Sequence, residues 1–198
     1  MKFRYLKTTM AAVLLSVSGL ANAGLIEIDF DDLSNGTVVG NNYLTQGVSF
    51  VDASITSIPL AGISAPNGIN RLGSYNFDQN NPITAIFSTL VSSVSLSGYD
   101  VGSAGFIMKA YDMQVGGNLL QTVSFVGPDI GIGTNHTLSL NIGGIRRVEF
   151  SQILVGGGDG VVFDNFSFNT AEVPEPSTLA IFALGIMGLA SRRFKKQS

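Results

Sequence analysis

Apolar and polar residues alternate along much of the chain between Gly24 and Ala171. From Leu25 onward, Ile26, Ile28 and Phe30 take every second position, and acidic residues take the positions between them. A period of two is typical of a β-strand with one buried face. Similar runs recur with turn dipeptides such as Asn35-Gly36 between them. The further runs that predict strands are residues 47–51, 83–87, 91–99, 106–111, 119–126, 137–142, 145–151 and 161–168.

No run of ten or more residues in this central part has the 3.6-residue periodicity of an amphipathic helix. Repeated short strands separated by turn residues are typical of an all-β sandwich. The sequence therefore predicts eight to ten strands in two packed antiparallel sheets. A jelly-roll arrangement is the first expectation and an immunoglobulin-like sandwich the second.

The N-terminal segment has the layout of a secretory signal peptide. Lys2, Arg4 and Lys7 precede an apolar stretch at residues 10–20, and the small residues Ala21 and Ala23 come next. A basic start, a short apolar segment and a small-x-small motif are the three parts of a cleavable signal. Cleavage is expected before Gly24. This assigns residues 1–23 to the signal and residues 24–171 to the exported body.

The C-terminal segment, residues 172–198, combines a proline motif, an apolar run and a basic end. Val173 precedes Pro174-Glu175-Pro176, and the prolines keep a helix from starting earlier. The apolar run is short for a bilayer span, but flanking basic residues can snorkel and the bilayer can thin. The run contains Thr178, Leu179, Ile181, Phe182, Leu184, Ile186, Met187 and Leu189, and the basic end contains Arg192, Arg193, Lys195 and Lys196. We expect a transmembrane helix whose basic end faces the cytoplasm.

The order of these three parts resembles the PEP-CTERM sorting domain. The resemblance implies that an exosortase, an integral membrane protein, recognises the tail and cleaves it near Val173 to Pro176. It also implies that the inner membrane holds the chain before processing. The mature body is then expected in the cell envelope, at the cell surface or outside the cell.

Charge is distributed unevenly between the ends and the body. Residues 24–173 contain 13 acidic and four basic residues, which gives a formal charge of −9. An acidic body repels phosphate backbones, so no nucleic acid is expected as a partner. The chain has no Cys and one His, His136, which excludes disulfides and thiolate metal sites and leaves no visible catalytic dyad. We therefore expect no enzyme activity and no catalytic residues.

Calcium is the one cofactor that the acidic residues suggest. Asp164 has the parity of Phe166 and Phe168 in the last predicted strand, so it is expected to point inward, where a lone carboxylate is costly. The first and last strands of a sandwich are often close, which would bring Glu27, Asp29 or Asp31 near and favour Ca²⁺. The alternative is a solvated acidic face. The body is also similar in layout to jelly-roll carbohydrate-binding modules, and that similarity implies a calcium ion shared by first and last strands.

Three functions remain open from the sequence. The first is a non-enzymatic envelope or matrix protein that an exosortase sorts and that associates with exopolysaccharide. The second is a secreted hydrolase of polysaccharide, which needs two carboxylates across a cleft. The third is a calcium-stabilised sandwich with no ligand.

Overall fold

The computed structural model of the protein describes residues 24–57, 71–73, 81–128, 133–154 and 160–171. The predicted signal peptide with Ala21 and Ala23, the sorting motif, the expected transmembrane helix and the basic tail lie outside these residues. Within the described part, no helix has the length and apolar character needed to cross a membrane. The body forms one compact unit, Gly24–Ala171.

The described part contains ten β-strands and one short 3-10 helix, at Leu44–Gln46. Their residues are rich in Val, Ile, Phe and Ser, and the β-branched and aromatic side chains among them favour extended backbone. The strands are β1 (Leu25–Ile28), β2 (Val48–Val51), β3 (Ser54–Thr56), β4 (Arg71–Gly73), β5 (Ile83–Val101), β6 (Phe106–Tyr111), β7 (Leu119–Phe125), β8 (Thr134–Leu140), β9 (Ile145–Gln152) and β10 (Val162–Thr170).

The long strand β5 belongs to two sheets. Its first part pairs with β2 on one side and β9 on the other, and β6 and β7 continue this first sheet. Its second part pairs with β10 and β8 in the second sheet. On the far side of β10 lie β1 and β4, and β3 pairs with β4. All of these pairings are antiparallel. Three exposed residues, 88–90, mark the place where β5 passes from one sheet to the other.

Phenylalanine rings join the inner faces of the two sheets. Phe50 of β2 contacts Phe166 of β10, with ring centres 5.2 Å apart, and Phe150 of β9 contacts Phe163 of β10 at 5.0 Å. All four side chains are at most 3% exposed. Edge-to-face pairs of this kind add to the free energy gained from apolar burial. The contacts between opposite sheets confirm the predicted all-β sandwich.

The predicted strands are largely confirmed, with three corrections. The runs at 83–87 and 91–99 are one strand, because the backbone stays extended through the exposed residues between them. The strand expected at 137–142 begins and ends earlier, at Thr134–Leu140. Strands β3 and β4 were not predicted, because three residues are too few to show a periodicity.

Candidate functional site: a polar groove on the second sheet

A row of four polar residues crosses the outer face of the second sheet. Glu27 of β1 pairs with Ser167 of β10, Ser167 pairs with Ser95 of β5, and Ser95 pairs with Ser139 of β8. Residues paired across strands project from the same face of a sheet. The row therefore presents one carboxylate and three hydroxyls side by side, over about 14 Å at the usual spacing between strands.

The neighbouring row shows why these side chains face outward. Ile26, Phe168, Val94 and Leu140 are paired across the same four strands, one residue away in each. Phe168, Val94 and Leu140 are at most 1% exposed. Because side chains alternate between faces along a strand, burying this apolar row fixes the polar row on the other side.

Hydrogen bonds between neighbouring side chains orient the hydroxyls on this face. The hydroxyl oxygens of Ser95 and Ser139 are 3.2 Å apart, and those of Ser97 and Thr137 are 2.8 Å apart. Toward the other end of the strands, the Asn169 amide donates to the Ser93 hydroxyl at 2.8 Å. Each hydroxyl has one proton and two lone pairs, so groups bonded to each other can still bind a further partner.

Three residues of the row, Glu27, Ser167 and Ser95, line a groove of about 470 Å³. Its described lining comes from β10 and β5, which supply hydroxyl and amide groups, and from the first strand and the residue after it, which supply two carboxylates. The lining residues are Glu27, Ile28, Asp29, Ser95, Ser97, Asn165 and Ser167. The volume falls in the range of small-molecule sites. Such a surface can exchange many hydrogen bonds with a polyhydroxylated ligand.

A β-bulge in β10 shapes one end of the groove. The pairing with β5 shifts between Asp164 and Ser167, and Asn165 has a left-handed φ of 51°. Asn adopts this conformation more readily than most residues. The Asn165 side-chain amide donates to the Tyr99 hydroxyl at 2.9 Å, which fixes its orientation at the groove.

Because of the same bulge, Asp164 is oriented differently from the sequence prediction. Its pairing with Ser97 places it on the face opposite Phe163, and the extra residue in the bulge returns Phe166 to the core. Asp164 is nevertheless fully buried, and its Oδ1 accepts a hydrogen bond from the Asn165 backbone N–H at 2.7 Å. The burial that the sequence predicts for this carboxylate is confirmed, but its position relative to the sheet differs from the prediction because the bulge interrupts the strand.

An acidic turn follows β1 at the rim of the groove. The carboxylate of Asp29 accepts a hydrogen bond from the Asp31 backbone N–H at 3.2 Å. Between them, Phe30 has a left-handed φ of 60° and its ring is fully buried against Tyr43, with centres 5.6 Å apart. The Tyr43 hydroxyl donates to the Asp32 carboxylate. Burial of Tyr43, together with its hydrogen bond to Asp32, raises the pKa of Tyr43 well above its usual range.

The four carboxylates of the predicted calcium site are distributed between these features. Glu27 and Asp29 line the groove, Asp31 lies in the turn after β1, and Asp164 is buried beside the bulge. The approach of the first and last strands is confirmed by the pairing of β1 with β10. Over the described ranges, no three Asp, Glu or His side chains form a group that could hold a metal ion. Calcium binding stays a prediction.

The sequence did not identify the hydroxyl groups of the groove. Ser93, Ser95 and Ser97 alternate with Val94 and Leu96, and this pattern signals an outward polar face. The pairing of that face with Ser167 and Glu27 follows only from the fold. His136, the one His of the chain, does not line the groove; its ring stacks on Phe125 with centres 3.7 Å apart.

Several solved structures resemble the body. The K2 cleaved adhesin domain of Lys-gingipain has 13% sequence identity and a TM-score of 0.53, covering 73% of this chain and 99% of that domain. The K1 adhesin domain from Porphyromonas gingivalis W83 has 13% identity and a TM-score of 0.49, with coverage of 75% and 99%. A family 35 carbohydrate-binding module from Clostridium thermocellum has 16% identity and a TM-score of 0.36, with coverage of 75% and 100%. The first of these likenesses supports the sandwich fold.

The tail matches a family model. Residues 172–196 match the PEP-CTERM protein-sorting motif, and no curated protein matches the chain. The match confirms the resemblance that the Pro-Glu-Pro motif, the apolar run and the basic end indicate. The motif implies export through the inner membrane and processing by an exosortase. The chain is therefore an exported protein that carries a PEP-CTERM sorting domain and is delivered to the cell envelope or cell surface.

Proposed function

We propose that this protein is a non-enzymatic surface protein that binds exopolysaccharide through the groove of the second sheet. The observation that carries the proposal is the row from Glu27 to Ser139, which aligns a carboxylate and three hydroxyls across four strands and of which Glu27, Ser167 and Ser95 line the groove. Sorting to the cell surface would display this groove where exopolysaccharide accumulates. The adhesin domain with the same type of fold is compatible with a binding role.

The chemistry of the groove suits a sugar polymer. Sugar hydroxyls donate and accept hydrogen bonds, and so do the hydroxyls of Ser95, Ser97 and Ser167. The amide of Asn165 adds a donor and an acceptor whose position is fixed by Tyr99. Because these groups are repeated across strands, the face offers equivalent contacts to successive units of a polymer.

The position of the carboxylates favours binding over hydrolysis. A glycosidase places its two carboxylates on either side of the scissile bond. Glu27 and Asp29 are two residues apart, so both approach the groove from the side of β1. The opposite side of the described lining, formed by β5, contributes Ser95 and Ser97, which cannot serve as the second carboxylate.

Retention on immobilised exopolysaccharide tests the proposal. The full-length chain, purified in mild detergent, is compared with a double variant, Ser95→Ala with Ser167→Ala. We expect the variant to bind about tenfold more weakly, because two hydrogen bonds of about 1 kcal/mol each are lost in part. The control is Thr122→Ala with Ser124→Ala, which removes two exposed hydroxyls from β7 of the first sheet. Equal retention of all three proteins would contradict the proposal.

A further inference from the structure

We propose that the groove selects polysaccharides that bear free amino groups over polysaccharides that bear carboxylate, sulfate or phosphate groups. This inference rests on the proposed function and adds the chemical class of the ligand. The charge of the groove would set this preference, whereas the row of hydroxyls would form hydrogen bonds with any sugar.

The charged groups on the groove lining are all of one sign. Glu27 and Asp29 are exposed carboxylates, and the remaining polar groups of the described lining are neutral hydroxyls and one amide. A protonated amine can form charge-assisted hydrogen bonds with a carboxylate, and these are stronger than neutral ones. A polymer carboxylate or sulfate would instead meet a like charge.

Three of the four basic residues of the body have side chains that the structure describes, and all three are held away from the groove. Lys109 and Arg147 lie on the outer face of the first sheet, where they pair across strands with Glu149 and Tyr111 respectively. Arg146 donates to the Ser88 carbonyl at 3.1 Å, beside the crossing point of β5. None of the three lines the groove. No cation of the described lining therefore offsets the two carboxylates.

The charge of the whole body acts in the same direction. Residues 24–173 carry a formal charge of −9, so the field outside the body attracts cationic polymers and repels anionic ones. This long-range effect is general, and salt screens it. The preference that is specific to the groove comes from Glu27, which lies at one end of the row. In that row, the hydroxyls of Ser167 and Ser95 form hydrogen bonds with the sugar hydroxyls. An amine that contacts Glu27 therefore belongs to a sugar unit that is also held by hydroxyls.

The decisive comparison uses one polymer backbone with and without its charge. The full-length chain is titrated with partly deacetylated chitosan oligomers, with the same oligomers after complete N-acetylation, and with alginate oligomers. We expect binding to the amine-bearing oligomers to be about tenfold tighter than binding to the acetylated ones, and binding to alginate to be the weakest. Raised salt should reduce the difference.

Two isosteric variants separate the groove from the general field. Glu27→Gln and Asp52→Asn each remove one exposed carboxylate, but only Glu27 lines the groove. Asn suits the left-handed φ of 58° at position 52, so this control should fold normally. We expect the Glu27 variant to lose most of the preference for amines while keeping its affinity for acetylated oligomers, and the Asp52 variant to keep both.

The outcomes distinguish the two proposals. Binding to the acetylated or anionic oligomers without a preference for amines would overturn this inference and leave the proposed function standing. An amine preference that both variants reduce equally would also overturn it, because the preference would then come from the net charge. No binding to any oligomer would count against this inference, and absence of retention on exopolysaccharide as well would remove the proposed function.

Discussion

The guanidinium carbon of Arg147 lies 4.1 Å from the centre of the Tyr111 ring, its partner across strands β9 and β6. The same guanidinium donates to the backbone carbonyls of Met113 and Gln114 at 3.5 and 3.3 Å, and its Nε lies 3.1 Å from the carboxylate of Glu149. Arg147 is only 8% exposed, although its strand position faces outward. Arg147 thus fastens the hairpin between β6 and β7 to the outer face of the first sheet.

Replacing Arg147 with Met should destabilise the fold by about 3 kcal/mol, because the Glu149 carboxylate and two backbone carbonyls would lose a buried partner. The free energy of unfolding in guanidinium chloride measures this loss. The matched control is Arg146→Met, which removes one hydrogen bond to Ser88 and should cost less than about 1 kcal/mol. Equal losses for the two variants would contradict the fastening role of Arg147.

Tyr43 should make the fold sensitive to alkaline pH. Its burial and its bond to Asp32 raise its pKa in the folded chain, whereas an unfolded Tyr titrates at about pH 10. Above that pH the unfolded chain has lost a proton that the folded chain keeps, so the free energy of unfolding falls as pH rises. Tyr43→Phe should flatten this fall, at the cost of the hydrogen bond to Asp32 at neutral pH.

Urea unfolding at about pH 8 and about pH 11 measures how steeply the free energy of unfolding falls with pH for each protein. Tyr111→Phe is the comparison, because burial also raises the pKa of Tyr111. Tyr43 is 2% exposed and Tyr111 is half-buried, so the Tyr43 variant should lose more of the slope. If the free energy of unfolding fell just as steeply with pH in the Tyr43 variant, another group would be responsible for the loss of stability at alkaline pH.

Strand prediction succeeded where alternation is unbroken and failed where it is not. Phe106, Met108 and Ala110 are fully buried and alternate with half-buried residues, and β6 has the predicted bounds. In β5, residues 88–90 are exposed and interrupt the alternation, so the sequence predicted two separate strands. The backbone continues through them because the strand passes between sheets, which is a tertiary relationship that local pattern does not encode.

The groove could be predicted only in part. Outward-facing serines in β5 are visible in the sequence, and so is the closeness of first and last strands in a sandwich. The register that aligns Ser95 with Ser167 and Glu27 depends on pairing between distant segments. The bulge at Asn165 changes which residues of β10 face the core. An uninterrupted alternation therefore predicted Asp164 on the inner face of the second sheet, whereas its pairing with Ser97 places it on the outer face.

Deleting Pro174 to Ser198 should release the body from the cells. The deletion removes all but the first two residues of the matched sorting motif, together with the apolar run and its basic end, which are expected to hold the chain in the inner membrane until an exosortase acts. Fractionation of cells and medium measures the release, and a chain with Thr122→Ala and an intact tail is the control. Unchanged fractionation of the truncated chain would contradict sorting by this tail.

Chemical-shift mapping with purified exopolysaccharide tests most directly whether the groove is a binding site. The full-length chain in detergent micelles is titrated, and its backbone amide signals are followed. We predict that the largest shifts occur at Glu27, at Ser95 and Ser97, and from Asn165 to Ser167, with little change in β6 and β7. Shifts confined to the first sheet, or none at saturating polysaccharide, would contradict the account.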